Sequence, residues 1–307
     1  MPSPSQAGKW LPQYELKVET APGATGTSNV TITLPLTLDF EVNRQFQAQA
    51  QTGNFKIKNL SKATRNLLYK DQWTPLPFRA VQLRAGYPGF MPLIFNGNLL
   101  RGYSYRESGG TDIITELECM DGQYQQSIGT PPPSSGSFAG GAGALSYAQI
   151  INNLNADLPF LAPNAIIGSF PTVPVRGLAL TGSTWNIITQ LSNGLATIDN
   201  GQLKVLNLNE VIESQIPVLN ADSGLLGTPR RTNTIIEADF LFEPRLTLGQ
   251  IVQLQSSTND IFNGPYKVMG FIHRGTISAA MDGERRTTIM LWRGTAALQV
   301  VPGNAVQ

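Results

Sequence analysis

Glu237-Ala238-Asp239-Phe240-Leu241-Phe242-Glu243-Pro244 opens a stretch, Glu237–Trp292, that reads as four strands in order with nothing helical between them. Ala238, Phe240 and Phe242 alternate with Asp239, Leu241 and Glu243, and Pro244 bends the chain. Leu246, Leu248 and Ile251–Leu254 follow around Gly249, and Asn263-Gly264-Pro265 forces a turn. Tyr266–Ile272 makes the next strand and Arg285–Trp292 the last. Period-two alternation, punctuated at short intervals by Gly, Pro and Asn, predicts a small antiparallel sheet or barrel.

Working outward, Val30–Leu38 alternates β-branched and polar residues and predicts the first full strand. Leu60–Tyr69 predicts a short helix with Ser61 as N-cap, and strands are expected near 78–85, 92–105 and 111–120. Gly129–Gly143 holds three consecutive prolines, Pro131–Pro133, followed by Ser, Gly and Ala. That composition cannot build a core and reads as a linker. Beyond it the period becomes helical. Ala148, Ile150, Ile151, Leu154 and Leu158 share one helix face, stopped by Pro159. A second helix is expected over Ser183–Asn193, with Trp185 and Ile188 on its buried face and Gly194 past its end. Asn200-Gly201 between Ala196–Asp199 and Gln202–Leu206 signals a type I′ hairpin.

These signals predict a mainly β chain with an α/β insert: two antiparallel β modules separated by a small α/β module. The expected division is an N-terminal arm at 1–28, a first β domain at 29–128 and a linker at 129–145. An α/β module at 146–215, a second β domain at 216–295 and a tail at 296–307 follow. The arm carries Trp10, Tyr14, Leu16 and Val18 among prolines and glycines, and is expected to dock on a neighbour. The tail carries Leu298, Val300 and Val301 with no later strand to pair with.

Composition narrows the function. Of 307 residues only 14% are charged, against about 25% in ordinary globular chains. Asn and Gln together nearly equal the charged residues. Such a surface suits large polar protein–protein contacts, because desolvating an amide costs less than desolvating an ion. The net charge of +1 gives no electrostatic case for specific nucleic-acid or membrane binding. No apolar run approaches the ~18 residues of a transmembrane helix, and residues 1–28 lack the apolar segment of a secretion signal. Cys119 is the lone cysteine, expected as a small buried apolar residue, so neither an intrachain disulfide nor a cysteine metal cluster forms.

The chemical candidates are few. His273 is the only histidine, which excludes a multi-histidine metal site. It stands at a strand end, where a structural role bonded to backbone or to Asp282 or Glu284 is expected. Glu116 and Glu118 share one strand face about 7 Å apart, a separation used by inverting glycosidases. The plainer reading is a solvated strand face. Gly136–Gly143 is glycine-rich but lacks the Gly-Lys-Ser/Thr end of a phosphate-binding loop. Arg230-Arg231 and Arg285-Arg286 alternate across strands, so neither pair makes a patch. Trp73, Trp185 and Trp292 are expected as core or interface anchors. No catalytic, cofactor or metal residue is assigned.

Several blocks resemble the baseplate hub proteins of tailed phages, also related to the hub part of type VI secretion spike proteins. One block runs from Leu225-Leu226-Gly227-Thr228-Pro229 through Phe242-Glu243-Pro244 to Leu248-Gly249-Gln250-Ile251-Val252, Tyr266-Lys267-Val268 and His273-Arg274-Gly275. Another holds Phe55–Leu60, Val81–Tyr87, Ile94–Leu100 and Ile113–Gly122, and a third is Thr184–Leu191 with the hairpin at Asp199-Asn200-Gly201. The resemblance implies two tube-like β-barrels per chain and a homotrimer whose six barrels adapt a sixfold tail tube to a threefold spike. It implies as partners the tube or a tube-initiator ring, the spike and the tape measure protein, with no cofactor. It places the protein in the tail baseplate of the virion after synthesis in the host cytoplasm. The rival readings are a tail-associated peptidoglycan hydrolase and a carbohydrate-binding receptor protein.

Overall fold

The computed structural model describes residues 11–21, 28–46, 51–73, 78–122, 137–139, 146–158, 161–169, 177–179, 182–212, 217–280, 283–294 and 297–301. Trp10, Asp282 and most of the expected linker lie outside them. In chain order the first elements are β1 (Gln13–Ala21), β2 (Ser28–Thr33), β3 (Leu38–Gln45), β4 (Gln51–Lys58), α1 (Lys62–Leu68), β5 (Ala80–Gly86), β6 (Leu93–Arg106) and β7 (Ile113–Asp121). Then come β8 (Ser137–Ala139), α2 (Tyr147–Ala156), β9 (Ile166–Ile167), β10 (Gly177–Ala179), α3 (Thr184–Leu191), β11 (Ala196–Asp199) and β12 (Gln202–Val205). The chain closes with β13 (Glu210–Ile212), β14 (Val218–Leu219), β15 (Leu225–Thr232), β16 (Ile235–Leu241), β17 (Ile251–Leu254), β18 (Gly264–Ile277), β19 (Arg285–Trp292) and β20 (Gln299–Val301).

The chain is mainly β. One curled sheet runs in the order β15-β16-β19-β18-β3-β4-β7-β6-β5-β1-β2, with β17 on β18 and β14 on β17. Every pair along the main path is antiparallel. The expected two β modules are therefore joined, because the 14-residue β18 pairs with β17 by its first half and with β3 by its second. Among the described residues β2 and β15 each pair with one strand only, so they end the sheet.

Three hydrophobic cores lie on this frame. The first is built on Leu16, Phe40, Phe55, Leu83, Phe95 and Leu117. The second is built on Phe240, Leu248, Val252, Val268, Ile289 and Leu291. The third packs α2 and α3 on the β11–β12 hairpin through Ile150, Leu154, Trp185, Ile188 and Leu203. Each fully buried side chain of this kind contributes about 1.5–3 kcal/mol. The helices start where their caps dictate. Ser61 Oγ accepts from Thr64 N at 3.1 Å, Ser183 Oγ from Asn186 N at 3.3 Å, and Ser146 closes a capping box with Gln149. Asn200 and Gly201 take φ of 53° and 74°, the left-handed pair a type I′ turn requires.

Three expectations are corrected. Gln13–Ala21 is not part of a free arm: it forms β1 between β2 and β5, burying Tyr14, Leu16 and Val18 in the chain's own first core. Its alternation over nine residues gives it a complete inward face. The tail is not wholly unpaired, since β20 lies parallel to β13 and Val301 enters the second core. Within the expected linker, β8 pairs with β10.

Candidate functional site

The sheet presents one uninterrupted face that both β cores leave uncovered. On β3, β4 and β7 the residues Phe40, Phe55 and Leu117 point into the first core. On β18, β19 and β16 the residues Phe271, Ile289 and Ala238 point into the second. Their sequence neighbours point the other way, as pleating dictates. Register then lines them up: Arg101, Glu118, Asn54, Glu41, Arg274 and Arg286 stand side by side on β6, β7, β4, β3, β18 and β19. A second row spans eight strands, from Asn98, Met120, Thr52 and Asn43 through Ile272, Thr288 and Asp239 to Leu226 on β15.

Several charges on this face are held within it. Arg101 grips Glu118 through Nε at 3.1 Å and through a short contact from Nη2, and stacks over Tyr103. Glu116 accepts from Tyr105 Oη at 3.2 Å and lies 3.8 Å from Lys56 Nζ. Thr276 and Thr288 donate to Asp39 and Asp239. Exposed pairs of this kind are worth about 0–1 kcal/mol each, so they neutralise the surface more than they stabilise it.

Behind the face, at the meeting point of the three cores, sits a buried ionic junction. Arg44 is fully buried on β3. Its Nη1 donates to Asp121 Oδ2 and Asp199 Oδ1, both at 2.9 Å. Its Nη2 donates to Ile94 O at 3.1 Å and to Asn200 Oδ1. Asn200 N donates to Asp121 Oδ2 at 2.6 Å, and Asn96 Nδ2 to Asn200 O at 3.2 Å. Lys204 Nζ joins Asp199 Oδ2 at 2.7 Å and Leu248 O at 3.2 Å. The β11–β12 turn of the third core is thus fastened to the first core and, through Lys204, to the second.

Burial sets the electrostatics of this junction. It pushes the Asp121 carboxyl up to about 6 against the pull of Arg44, with the Asp199 charge adding to the rise. Burial alone would raise Asp199 as well, but Lys204 and Arg44 hold its carboxyl below the usual range.

His273 is fully buried between Phe242 and Phe271, its ring centroid 5.3 and 4.7 Å from theirs. Nδ1 lies 2.8 Å from Thr287 Oγ1, while Nε2 has no partner. We place the proton on Nδ1, since an unpaired buried N–H costs more than an unpaired lone pair. Burial, helped by Arg44, pushes the imidazole down to about 3. The partner is Thr287 rather than backbone or Glu284, and Asp282 lies outside the described residues.

The remaining candidates are scattered. Glu116 and Glu118 lie on the open face, each tied to a cation. Arg286 pairs with Glu284 at 3.0 Å, Arg230 lies 3.9 Å from Asp239, and Arg231 Nε donates to Asn233 O. Trp185 is buried in the third core, whereas Trp73 is 80% exposed. Cys119 is buried in the first core, which raises its thiol well above the ordinary range. Gly136 and 140–143 lie outside the described residues. Sequence reasoning missed Arg44, Asp121, Asp199 and Lys204. A signal existed for the first two: Arg44 has the strand parity of Phe40 and Val42, and Asp121 that of Leu117 and Cys119. Among the described residues no group of three His, Cys, Asp or Glu is placed to hold a metal, and no helix is long and apolar enough to cross a membrane.

The sequence profile of the baseplate hub gp41 family matches residues 20–273, and the chain belongs to that family. No curated protein matches it in sequence. Among solved structures it is similar to the 43 kDa tail protein of prophage MuSo2 from Shewanella oneidensis (TM-score 0.57, 9% identity, 92% of this chain and 96% of that one). It is also similar to a tail protein from Neisseria meningitidis MC58 (0.54, 10%, 91% and 96%). A third is the E. coli c3393 protein, a type VI secretion component described as structurally similar to the T4 tail proteins gp27 and gp5 (0.55, 9%, 94% and 79%). At these identities the likeness is one of fold. Family membership makes the protein a structural component of the phage tail baseplate and of the virion.

Proposed function

We propose that the protein is the central hub of the baseplate, a homotrimer that adapts a sixfold tail tube to a threefold spike. Each copy supplies two tube-like barrel units, one around each β core, separated by the α/β module. Three copies make a ring of six units, and the uncovered sheet face lines its channel. The partners are a tube or tube-initiator ring protein on one side and a spike on the other, with the tape measure protein inside.

The observation that carries this reading is the face itself. Its rows cross from one core to the other without a break, which a wall shared by two barrel units requires. The one place where two arginines stand together, Arg274 opposite Arg286, has Glu41 beside Arg274 and Glu284 on Arg286, so the rows gather no extended basic patch for a passing polyanion. The hydrolase reading lacks support, because Glu116 and Glu118 are held by Lys56 and Arg101 on an open surface. The receptor reading needs a groove of exposed aromatics; Trp185 is buried, and the largely exposed aromatics among the described residues are two, Tyr69 and Trp73, on the short segment at the end of α1.

Counting copies in assembled particles, by native mass spectrometry of released baseplates or by the symmetry of an image reconstruction, tests the hub. Three copies are expected, and six or twelve would overturn it. For the face, Asn54→Cys in assembled particles is expected to react with a small maleimide but not with a bulky one. Equal reaction with both would put that face outside the ring.

A further inference from the structure

The α/β module is held to the two β cores in two different ways. At its base the hold is apolar: Ile166 of β9 and Leu206, just after β12, are buried in the second core. Lys204 Nζ adds its bond to Leu248 O there. At its tip the hold is polar. None of the described side chains of 146–212 enters the first core. What fastens the module there is Asn200, at the turn between β11 and β12. Its backbone N–H donates to Asp121 Oδ2, and its carbonyl accepts from Asn96 Nδ2. Its side chain accepts from Arg44 Nη2 and donates to Leu93 O at 3.4 Å.

A cavity of about 100 Å³ runs along the seam between this turn and the first core. Asn96, Gly97, Asp121 and Gly122 wall it on the sheet side, Leu161 and Gly201 on the module side. A polar cavity of that size holds water, so a proton reaches Asp121 without unfolding. Both bonds that Asp121 accepts, from Arg44 and from Asn200, end on Oδ2, which leaves Oδ1 to take the proton while they persist. The charged groups facing Asp121 are Arg44 on β3, Asp199 on β11 and, across the cavity, Glu19 on β1, whose Oε2 accepts from Ala80 N at 3.1 Å. Lys204 on β12 is turned to Asp199 Oδ2. On β4 and β6 the neighbours are neutral: Gln51, Asn96 and Asn98. One guanidinium nitrogen, Arg44 Nη1, is thus shared by two buried carboxylates directly beside the turn.

We propose that the β11–β12 hairpin is a latch, hinged on the second core and closing its Asn200 tip on the first, and that a proton on Asp121 tightens it. With both carboxylates ionised, Asp121 and Asp199 repel each other across Arg44 Nη1, and lifting the tip lets water into the seam to screen them. A proton on Asp121 Oδ1 removes the repulsion and leaves the bonds from Arg44 and Asn200 in place. The direction of the pH effect follows from burial. It raises Asp121 to about 6 with the latch closed, against 3.8 in ordinary surroundings. The closed form therefore binds the proton more tightly, and acid favours closure. The latch does not depend on the ring, so its failure leaves the hub reading untouched.

Hydrogen exchange on the full chain tests the latch through the Asn200 amide, which donates to Asp121. Its opening is expected to be more frequent than that of the amides bonded between β3 and β4, which lie inside the sheet. With rates corrected for the intrinsic effect of pH, its opening constant should fall about tenfold from pH 7.5 to pH 5. Asp121→Asn keeps the volume and the acceptor and removes the charge. In that variant Asn200 should stay closed at both pH values, with a change of less than about twofold between them. Exchange of Asn200 in step with the β3–β4 amides would mean that no separate latch exists. An opening constant that is unchanged or larger at pH 5 would overturn the direction, and a tenfold change that persists in Asp121→Asn would take the proton away from Asp121. The wild-type series decides the first two points even if the variant does not fold.

Discussion

Replacing His273 with Gln exposes a cancellation built into the core. The imidazole is pushed down to about 3 in the fold and titrates near 6.5 in an unfolded chain. A group with a depressed folded value contributes its stability above the unfolded value and loses it as pH falls toward the folded one. At pH 5 the loss is about 2 kcal/mol, from 1.5 pH units at about 1.36 kcal/mol each. Asp121 works in the opposite sense. Its carboxyl is pushed up to about 6, against an unfolded value near 3.8, so the fold gains stability as pH falls through 6. At pH 5 that gain is about 1.4 kcal/mol. The unfolded chain takes up a proton on His273 over much the same window in which the folded chain takes one up on Asp121. Together the two groups leave the wild type nearly flat between pH 6 and 4. His273→Gln removes one arm. Relative to wild type, the variant is expected to gain about 2 kcal/mol on moving from pH 7 to pH 5. Urea unfolding of both chains at pH 7, 6 and 5 reads this difference, and all other titrating groups cancel from it. Parallel curves for variant and wild type would refute a buried neutral His273. A wild type that loses about 2 kcal/mol while the variant stays flat would mean that Arg44 and Asn200 keep Asp121 ionised throughout.

Arg44→Leu leaves Asp121 and Asp199 buried with half their compensation, and a loss of about 3–5 kcal/mol is expected in the same unfolding assay. Arg44→Lys should recover little of it, since one ammonium cannot reproduce the guanidinium fork that reaches both carboxylates and Ile94 O. Gly53→Ala puts a Cβ 2.7 Å from the Phe95 ring and 2.9 Å from Phe55 Cζ, so a cost of about 1–3 kcal/mol should appear in thermal unfolding. Glu118→Gln is expected to leave any cell-wall degradation by whole virions unchanged in a zymogram. A drop of about a hundredfold with assembly intact would make Glu118 a general acid. Deleting 296–307 strips β20 from β13 and removes Val301 from the second core. The truncated chain should still fold, lower in stability by about 1–3 kcal/mol, and fail to incorporate spike or tube. Normal particles would deny the tail an assembly role, and an unchanged urea midpoint would mean that β20 adds nothing.

Local chemistry was legible in the sequence and long-range chemistry was not. The Asn200-Gly201 turn, the Ser61 and Ser183 caps and the alternation of β16, β18 and β19 depend on neighbours a few residues away, and each appears where the pattern puts it. The strand at Gln13–Ala21 was obscured by the prolines and glycines around it. The Arg44 junction depends on Asp121 and Asp199, 77 and 155 residues along the chain. Parity alone marked Arg44 as inward-facing, but nothing local told which carboxylates would meet it. The continuous face was hidden for a related reason. The pairing of β18 with β3 joins residues more than 200 positions apart, and without that register the two β segments read as separate modules.

The placement of charge then makes physical sense. A chain with only 14% charged residues spends two cations and two carboxylates where they are most costly to desolvate, at the meeting point of its cores. Apolar residues of equal volume would often hold such a site as well or better. What they would not supply is direction. Hydrophobic contact between three cores tolerates sliding, whereas the Arg44 fork accepts Asp121, Asp199 and the Asn200 turn only in one mutual arrangement. The junction lies directly behind β3, one of the two strands through which the sheet passes from the first core to the second. A few degrees of slippage there would break the rows of the polar face, and in a ring each break would recur in every copy. On this argument the junction fixes the angle between the two halves of the sheet. Its loss should disturb the register of assembly before it unfolds either half.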